Sequence, residues 1–228
     1  MQILEFCGST KYLGRKLTFE EPHQAELNNR IVSGWCHFNQ LRHELTAKRY
    51  PLHSRLRLFN GTVTPSVMYG SASWTLTKDM VSTLKRTQRR MIRLIVGTPR
   101  RRAPTPDDID GEEPWVDFIK RATQTAEALA QRASVDDWAE LYYARKWRWA
   151  HRVATQEGDR WSALVTDWDP ASHDKRNAHR RHAGLRKRWN DDINEYLQSQ
   201  HCSAASPIPS DSRWLDREED FVKFCIGN

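Results

Sequence analysis

The spacing of apolar residues changes once, near residue 20, and that change most limits what the chain can fold into. In the first twenty residues Ile3, Leu4 and Phe6, then Tyr12, Leu13, Leu17 and Phe19, flank a Cys7-Gly8-Ser9 turn and predict two short antiparallel strands. From Pro22 the apolar residues fall at Leu27, Ile31, Trp35, Phe38, Leu41 and Leu45, in steps of three and four. Side chains at that spacing share one face of a helix. Leu52, Leu56, Phe59 and Val63 make a second stripe, which Pro65 is expected to break because it has no amide proton and its ring crowds the preceding turn. The expected fold class is mainly α, with a short N-terminal β-hairpin followed by a helical bundle and a second helical region.

The later elements carry their own start and stop signals. Thr77 suits an N-cap and Asp79 the first turn, Met80, Leu84, Met91 and Ile95 give a buried face, and Gly97 gives the stop. Pro99, Pro104, Pro106 and Gly111, with the acidic run Asp107, Asp108, Asp110, Glu112 and Glu113, predict a linker. Pro114 then fits a first helical position, followed by Trp115, Phe118, Ile119, Ala122, Ala126 and Leu129 in helical steps. Ser134 with Asp137 predicts a capping box for a helix to about Ala154, with Trp138, Leu141, Tyr142 and Trp149 along one side. Arg145, Lys146, Arg148 and Arg152 interleave with them. Leu185 to Gln198 and Ser212 to Cys225 are two further expected helices, separated by a loop from Ser203 to Ser210. The expected organisation is a hairpin over 1–20, a helical domain over 21–97, a linker over 98–113, a Trp-rich basic helical region over 114–200, and a loop with a last helix over 201–228.

Charge is distributed unevenly along these elements. The 228 residues hold 36 Lys+Arg and 29 Asp+Glu, a net of +7. Between Met80 and Pro106 stand Lys85, Arg86, Arg89, Arg90, Arg93, Arg100, Arg101 and Arg102 with no acid among them, so this window alone exceeds the net charge of the chain. A second acid-free window, Lys175 to Asn190, holds Lys175, Arg176, Arg180, Arg181, Arg186, Lys187 and Arg188. Such segregation is the footprint of a surface that meets a polyanion and releases its counterions, nucleic acid above all. Arg86, Arg89, Arg90 and Arg93 recur at three and four, so they share a helix face that is either solvated or tracks a phosphate backbone.

Other chemistry is poorly supplied. No stretch approaches the roughly 20 apolar residues of a spanning helix, and the first residues lack a secretory pattern, so a soluble, intracellular protein, nuclear or cytoplasmic, without a membrane partner is expected. Cys7, Cys36, Cys202 and Cys225 are scattered, as isolated reduced thiols would be. His173, His179, His182, His201 and Cys202 fit no common zinc spacing, and His151 has no nucleophile arranged beside it. Asp191-Asp192 has the look of a metal-binding aspartate pair, yet it opens a helical pattern, where acids stabilise the N-terminus. No cofactor, no metal and no catalytic residue are expected.

The order of several short motifs resembles a known family. Lys11-Tyr12-Leu13-Gly14-Arg15, then Arg30-Ile31 with Gly34-Trp35, then Pro65 with Met68-Tyr69-Gly70 and Trp74, then Gln88-Arg89-Arg90-Met91 and Gly97, is similar to the reverse transcriptase of LINE-type non-LTR retrotransposons downstream of its catalytic palm motifs. Trp149 and His151, Arg160-Trp161, Trp168 with Pro170, and Arg188-Trp189-Asn190-Asp191-Asp192 are similar to the Trp-rich tail beyond the thumb in some of these elements. The resemblance spans most of residues 10 to 195. It implies that residues 1–20 end the palm, with Tyr12 and Gly14 structural in its last hairpin, and that 21–97 form a thumb-like helical bundle that grips template and primer.

The resemblance also implies what is missing. There is no Tyr/Phe-x-Asp-Asp hairpin, no earlier palm aspartate, no fingers and no endonuclease region, so what the family implies for this chain is binding rather than polymerisation. Its implied partner is an RNA or DNA duplex, held by phosphate contacts, with the rest of a reverse transcriptase in trans as a further partner. On this reading the chain is a remnant or split piece of an RNA-directed DNA polymerase and no enzyme on its own. Two alternatives stand beside it: a helical protein-interaction module whose tryptophans dock on a partner, and a retroelement remnant with no function.

Overall fold

In the computed structural model of the chain the described residues are 8–18, 21–102, 111–154, 161–162, 188–189 and 191–192. Among them the protein is mainly helical, with a short antiparallel hairpin preceding the helices. Strands β1 (Ser9–Tyr12) and β2 (Arg15–Thr18) pair with Tyr12 opposite Arg15, so the turn is Leu13-Gly14 and not Cys7-Gly8-Ser9. Of the two-residue turns that match strand twist, one kind has positive φ at both central residues, and Leu13 at 47° and Gly14 at 77° have it. Two compact units partition the chain: residues 1–69 with 78–141, and residues 70–77 with 142–228.

In the first unit a buried ion pair ties the hairpin down. Helix α1 (Pro22–Gln40) carries Glu26 and Arg30 one turn apart, and Arg30 Nε donates to Glu26 Oε1 at 2.7 Å. Glu26 Oε2 accepts the Lys16 amide of β2 at 2.6 Å, while the Arg30 guanidinium donates to the Gly14 carbonyl. Arg30 also lies over the Tyr69 ring, 4.6 Å from its centroid, and the Tyr69 hydroxyl donates to the Leu13 carbonyl at 3.1 Å. A lone two-stranded ribbon is marginal in water; these contacts give it a helix to rest on.

The predicted stripe from Leu27 to Leu45 is divided. Helix α1 stops at Gln40, and α2 (Arg42–Thr46) resumes beyond Leu41. The buried face is Leu27, Arg30, Gly34 and Phe38, with Ile31 and Trp35 half-buried on its flank. Gly34 is where α1 comes nearest to α3 (Leu52–Val67): a Cβ there would lie 2.3 Å from Val67 Cγ2. Only a residue without a side chain permits that approach. Helix α3 itself runs through Pro65, contrary to expectation: the missing amide proton forfeits one bond and the ladder continues past it, the Met68 amide reaching the Thr64 carbonyl at 2.9 Å.

Helix α4 (Lys78–Val96) follows Thr77 and ends at left-handed Gly97, with Leu84, Gln88, Met91, Ile92 and Ile95 buried and Met80 half-buried. Helix α5 (Trp115–Arg132) starts after Pro114, which is its extended N-cap rather than its first helical residue. Its buried line is Ala122, Ala126 and Ala130, and Trp115 is 62% exposed. Ser134 has φ of 53°, and the Val135 amide reaches back to the Ala130 carbonyl at 3.0 Å, so Ser134 closes α5 and opens nothing. Asp137 alone caps α6 (Trp138–Ala154), its Oδ1 accepting the amides of Ala139 at 2.8 Å and Glu140 at 3.1 Å.

Aromatic packing and satisfied polar groups complete this core. Phe59 stacks on Trp138 at 5.9 Å, and the Trp138 indole donates to Thr64 Oγ1 at 2.9 Å. Gln88 accepts the Trp138 amide at 3.0 Å and donates to the Asp136 carbonyl at 2.6 Å. Buried Arg55 donates to the carbonyls of Ile95 at 2.5 Å, Leu45 at 3.3 Å and Tyr50 at 3.2 Å, setting a cation where the C-terminal ends of α4 and α2 concentrate partial negative charge.

The second unit is built on the last part of α6. After left-handed Gly70 comes a 3₁₀ turn, Ser71–Ser73, and then extended Trp74. Trp74, Leu76, Tyr142, Lys146, Trp147, Ala150 and Val153 are buried. Of the residues expected to line one side of α6, Trp149 is 40% exposed, and of the cations expected to interleave with them, Lys146 is fully buried. Met1 to Cys7, positions 103–110, the expected helix at Ser212 to Cys225, the loop Ser203 to Ser210, and Leu185 to Gln198 apart from 188–189 and 191–192 lie outside the described residues. No described helix is long and apolar enough to cross a membrane.

Candidate nucleic-acid interface

Along α4 the basic side chains fall opposite the buried face, as their spacing requires, but they do not share one environment. Arg86, Arg89 and Arg90 are exposed, while Lys85 and Arg93 are half-buried. Arg86 Nη2 donates to Thr83 Oγ1 at 3.0 Å, within its own helix. Arg89 forms an ion pair with Glu127 of α5 at 2.5 Å, and Arg93 Nη1 donates to Thr123 Oγ1 of α5 at 2.9 Å. Arg90 lies over the Trp35 ring of α1, 5.4 Å from its centroid. Burial, then the charges of Arg90 and Arg89, lower the proton affinity of Arg93, the direction expected of crowded like charges.

The window is therefore acid-free in sequence and only partly so in space. Arg100 Nη1 pairs with Glu112 and its Nε donates to the Glu113 carbonyl at 2.7 Å. The Arg101 amide donates to Glu113 Oε2 at 3.2 Å, and Arg102 forms an isolated antiparallel bridge with Glu112. Arg121 of α5 completes the knot, bonding Glu113 at 2.6 Å and the Pro99 carbonyl at 3.0 Å. Its hydrogen bond holds the Glu113 carboxyl down at about 2, well below the usual range. The acidic end of the expected linker thus folds back on its basic start.

Of the second basic window, Arg180, Arg181, Arg186 and Lys187 lie outside the described residues, and Arg188 is half-buried. The Arg188 amide donates to Asp191 Oδ2 at 2.6 Å, the reciprocal bond of a helix start expected for Asp191. Asp192 does something the sequence did not disclose. Its Oδ2 takes a 2.6 Å ion pair from buried Lys146 and a 2.6 Å hydrogen bond from the Tyr142 hydroxyl. That hydroxyl accepts the Leu76 amide at 3.3 Å, and Lys146 also donates to the Trp74 carbonyl at 3.3 Å and sits 5.2 Å from the Trp189 ring centroid. Burial, followed by the Asp192 charge, raises the Tyr142 pKa and keeps it a donor.

Chemically these arrangements bind and brace. No described group of three or more His, Cys, Asp or Glu could hold a metal ion. The one signal that could have exposed the Lys146 site is the helical register of Tyr142 and Lys146, which puts a lysine on an aromatic stripe.

Comparison with known proteins adds one relative. Over 212 residues the chain is 24% identical to a protein of Caenorhabditis elegans named as uncharacterized and transposon-derived, covering 91% of this chain and 67% of the relative. No family model matches the chain. No solved structure matches it.

Proposed function

We propose that the chain derives from a retrotransposon and is a nucleic-acid-binding piece of its reverse transcriptase, contacting the phosphates of a template and primer duplex through α4 and extending no primer itself. Its origin draws support from the transposon-derived relative, which aligns over nearly the whole chain. The meeting of Gly14, Arg30 and Tyr69, residues from three of the family-like motifs, supports the finer assignment. For function, the observation that carries the reading is the exposed pair Arg86 and Arg90 on a helix whose opposite side is locked in the core.

Arg89 and Arg93 have partners in α5, whereas Arg86 bonds within its own helix, to Thr83, and Arg90 lies over Trp35, so these two can reach a phosphate without giving up a contact to α5. Salt-dependent titration with duplex tests this. Arg86→Gln with Arg90→Gln should flatten the log–log salt slope by about 2, each duplex phosphate contact contributing roughly 0.9. An unchanged slope removes α4 from the interface.

A further inference from the structure

The second unit has a cleft that the duplex reading does not use. Gly70, Ser71, Ala72, Arg145, Arg148, Trp149 and Arg152 enclose about 240 Å³. Arg145, Arg148, Trp149 and Arg152 recur at three and four along α6, so three guanidinium groups and an indole share one face of the helix. No described ion pair involves Arg148 or Arg152. Across from them Ser71 is buried, and its hydroxyl has no hydrogen-bond partner. A buried hydroxyl left without a partner costs free energy unless something outside the protein satisfies it.

An ion pair and hydrogen bonds hold the residues beside the cleft. Lys146, one residue from Arg145, is locked to Asp192 and to the Trp74 carbonyl, and the Trp189 indole donates to the Ala72 carbonyl at 2.7 Å. Gly70 turns with φ of 68°, and nothing stands within 4 Å of where a Cβ would be, so the turn leaves room at the mouth. A volume of about 240 Å³ is below the roughly 300 Å³ at which pockets begin to take a whole drug-sized ligand. It suits one unit of a polymer that continues past it.

We propose that this cleft binds single-stranded nucleic acid, with a phosphate held by Arg145, Arg148, Arg152 and the Ser71 hydroxyl and an unpaired base stacked on Trp149. The arginines supply charge and donors to the phosphate, and the indole, 40% exposed, supplies a face that only an unstacked base can cover. Bases inside a duplex are already covered by their neighbours, so the site selects single strands. It uses none of the α4 residues and stands or falls apart from the duplex assignment.

Anisotropy titration of the full chain with a labelled oligothymidylate, beside a labelled hairpin duplex, tests it. Trp149→Ala should weaken single-strand binding by roughly 5- to 150-fold, the range for one stacked base, and leave duplex binding unchanged. Trp149→Phe should restore most of the loss. Arg148→Gln with Arg152→Gln should flatten the single-strand salt slope by about 1.4, at roughly 0.7 per contact. Wild-type single-strand affinity in Trp149→Ala overturns the proposal, as does an equal loss for duplex, or displacement of the oligonucleotide by polyglutamate at equal charge. Should Trp149→Ala lose its fold by circular dichroism, photocrosslinking of the wild-type chain to a 5-iodouracil oligonucleotide decides: a crosslink at Trp149 supports the site, and a crosslink elsewhere or none overturns it. Failure of α4 would appear separately, in the duplex salt slope.

Discussion

Each unit buries an ion pair beneath aromatic rings, Glu26 with Arg30 in the first and Lys146 with Asp192 in the second, and the two pairs span very different lengths of chain. The first is one helical turn long, so α1 by itself brings its two members together; the second joins residues 46 apart, and its free energy must offset closing that loop. Both have auxiliary partners: a backbone amide, a carbonyl and a ring in the first, and a tyrosine hydroxyl, a carbonyl and a ring in the second. Both pairs lie almost out of water, 9% and 1% exposed in the first and 0% and 1% in the second, so the margin of solvent left to a stranded charge is slightly smaller in the second. A local pair can tolerate damage that a distant one cannot.

Breaking the distant pair should have the largest effect. Lys146→Met leaves the buried Asp192 carboxylate without its counter-charge, and urea denaturation should show a loss of about 3–5 kcal/mol, whereas Lys146→Met with Asp192→Leu should recover most of it. If the double variant is as unstable as the single, the pair is holding geometry that apolar packing cannot replace. Arg30→Met should cost less, about 1.5–3 kcal/mol, since Glu26 keeps the Lys16 amide. Equal losses for the two would abolish the contrast between local and distant pairs.

The smallest effect belongs to the half-buried pair of Glu113 with Arg121, where pH is the sharper probe. The Glu113 carboxyl titrates at about 2 when folded, against 4.5 ordinarily, so what it adds to stability is present above about pH 4.5 and is lost as pH falls toward 2. Melting curves of wild type and Glu113→Gln should differ at neutral pH and converge near pH 2. A difference that persists there would assign the effect to packing instead of charge.

The same contrast explains what could be read in the sequence. Helices α1, α3, α4, α5 and α6 announce themselves because periodicity, caps and glycine stops act within a few residues. The hairpin was expected, yet its turn was misplaced: Leu13 has no turn preference, and Gly14 carried the signal alone. Pro65 was expected to end α3, a rule that holds for helix interiors and weakens at a last turn. Lys146 is spaced like the other cations of α6, and its partner stands 46 residues on, beyond the reach of any local pattern. Arg89 looked unopposed for the same reason, with Glu127 on another helix. Arg145, Arg148 and Arg152 are legible as a helical series, but the Ser71 turn that makes a cleft of them stands more than 70 residues earlier and carries no local signal of that meeting.

Gly34 and Val67 share a single volume, with Met91 of α4 only 3.8 Å from the absent Cβ. Neither position is free to drift alone. Among relatives, any residue larger than glycine at 34 should travel with a smaller one at 67, so the two columns would covary even though one lies in α1 and the other at the far end of α3. Their joint history would date how long descendants of this chain have stayed under selection to fold.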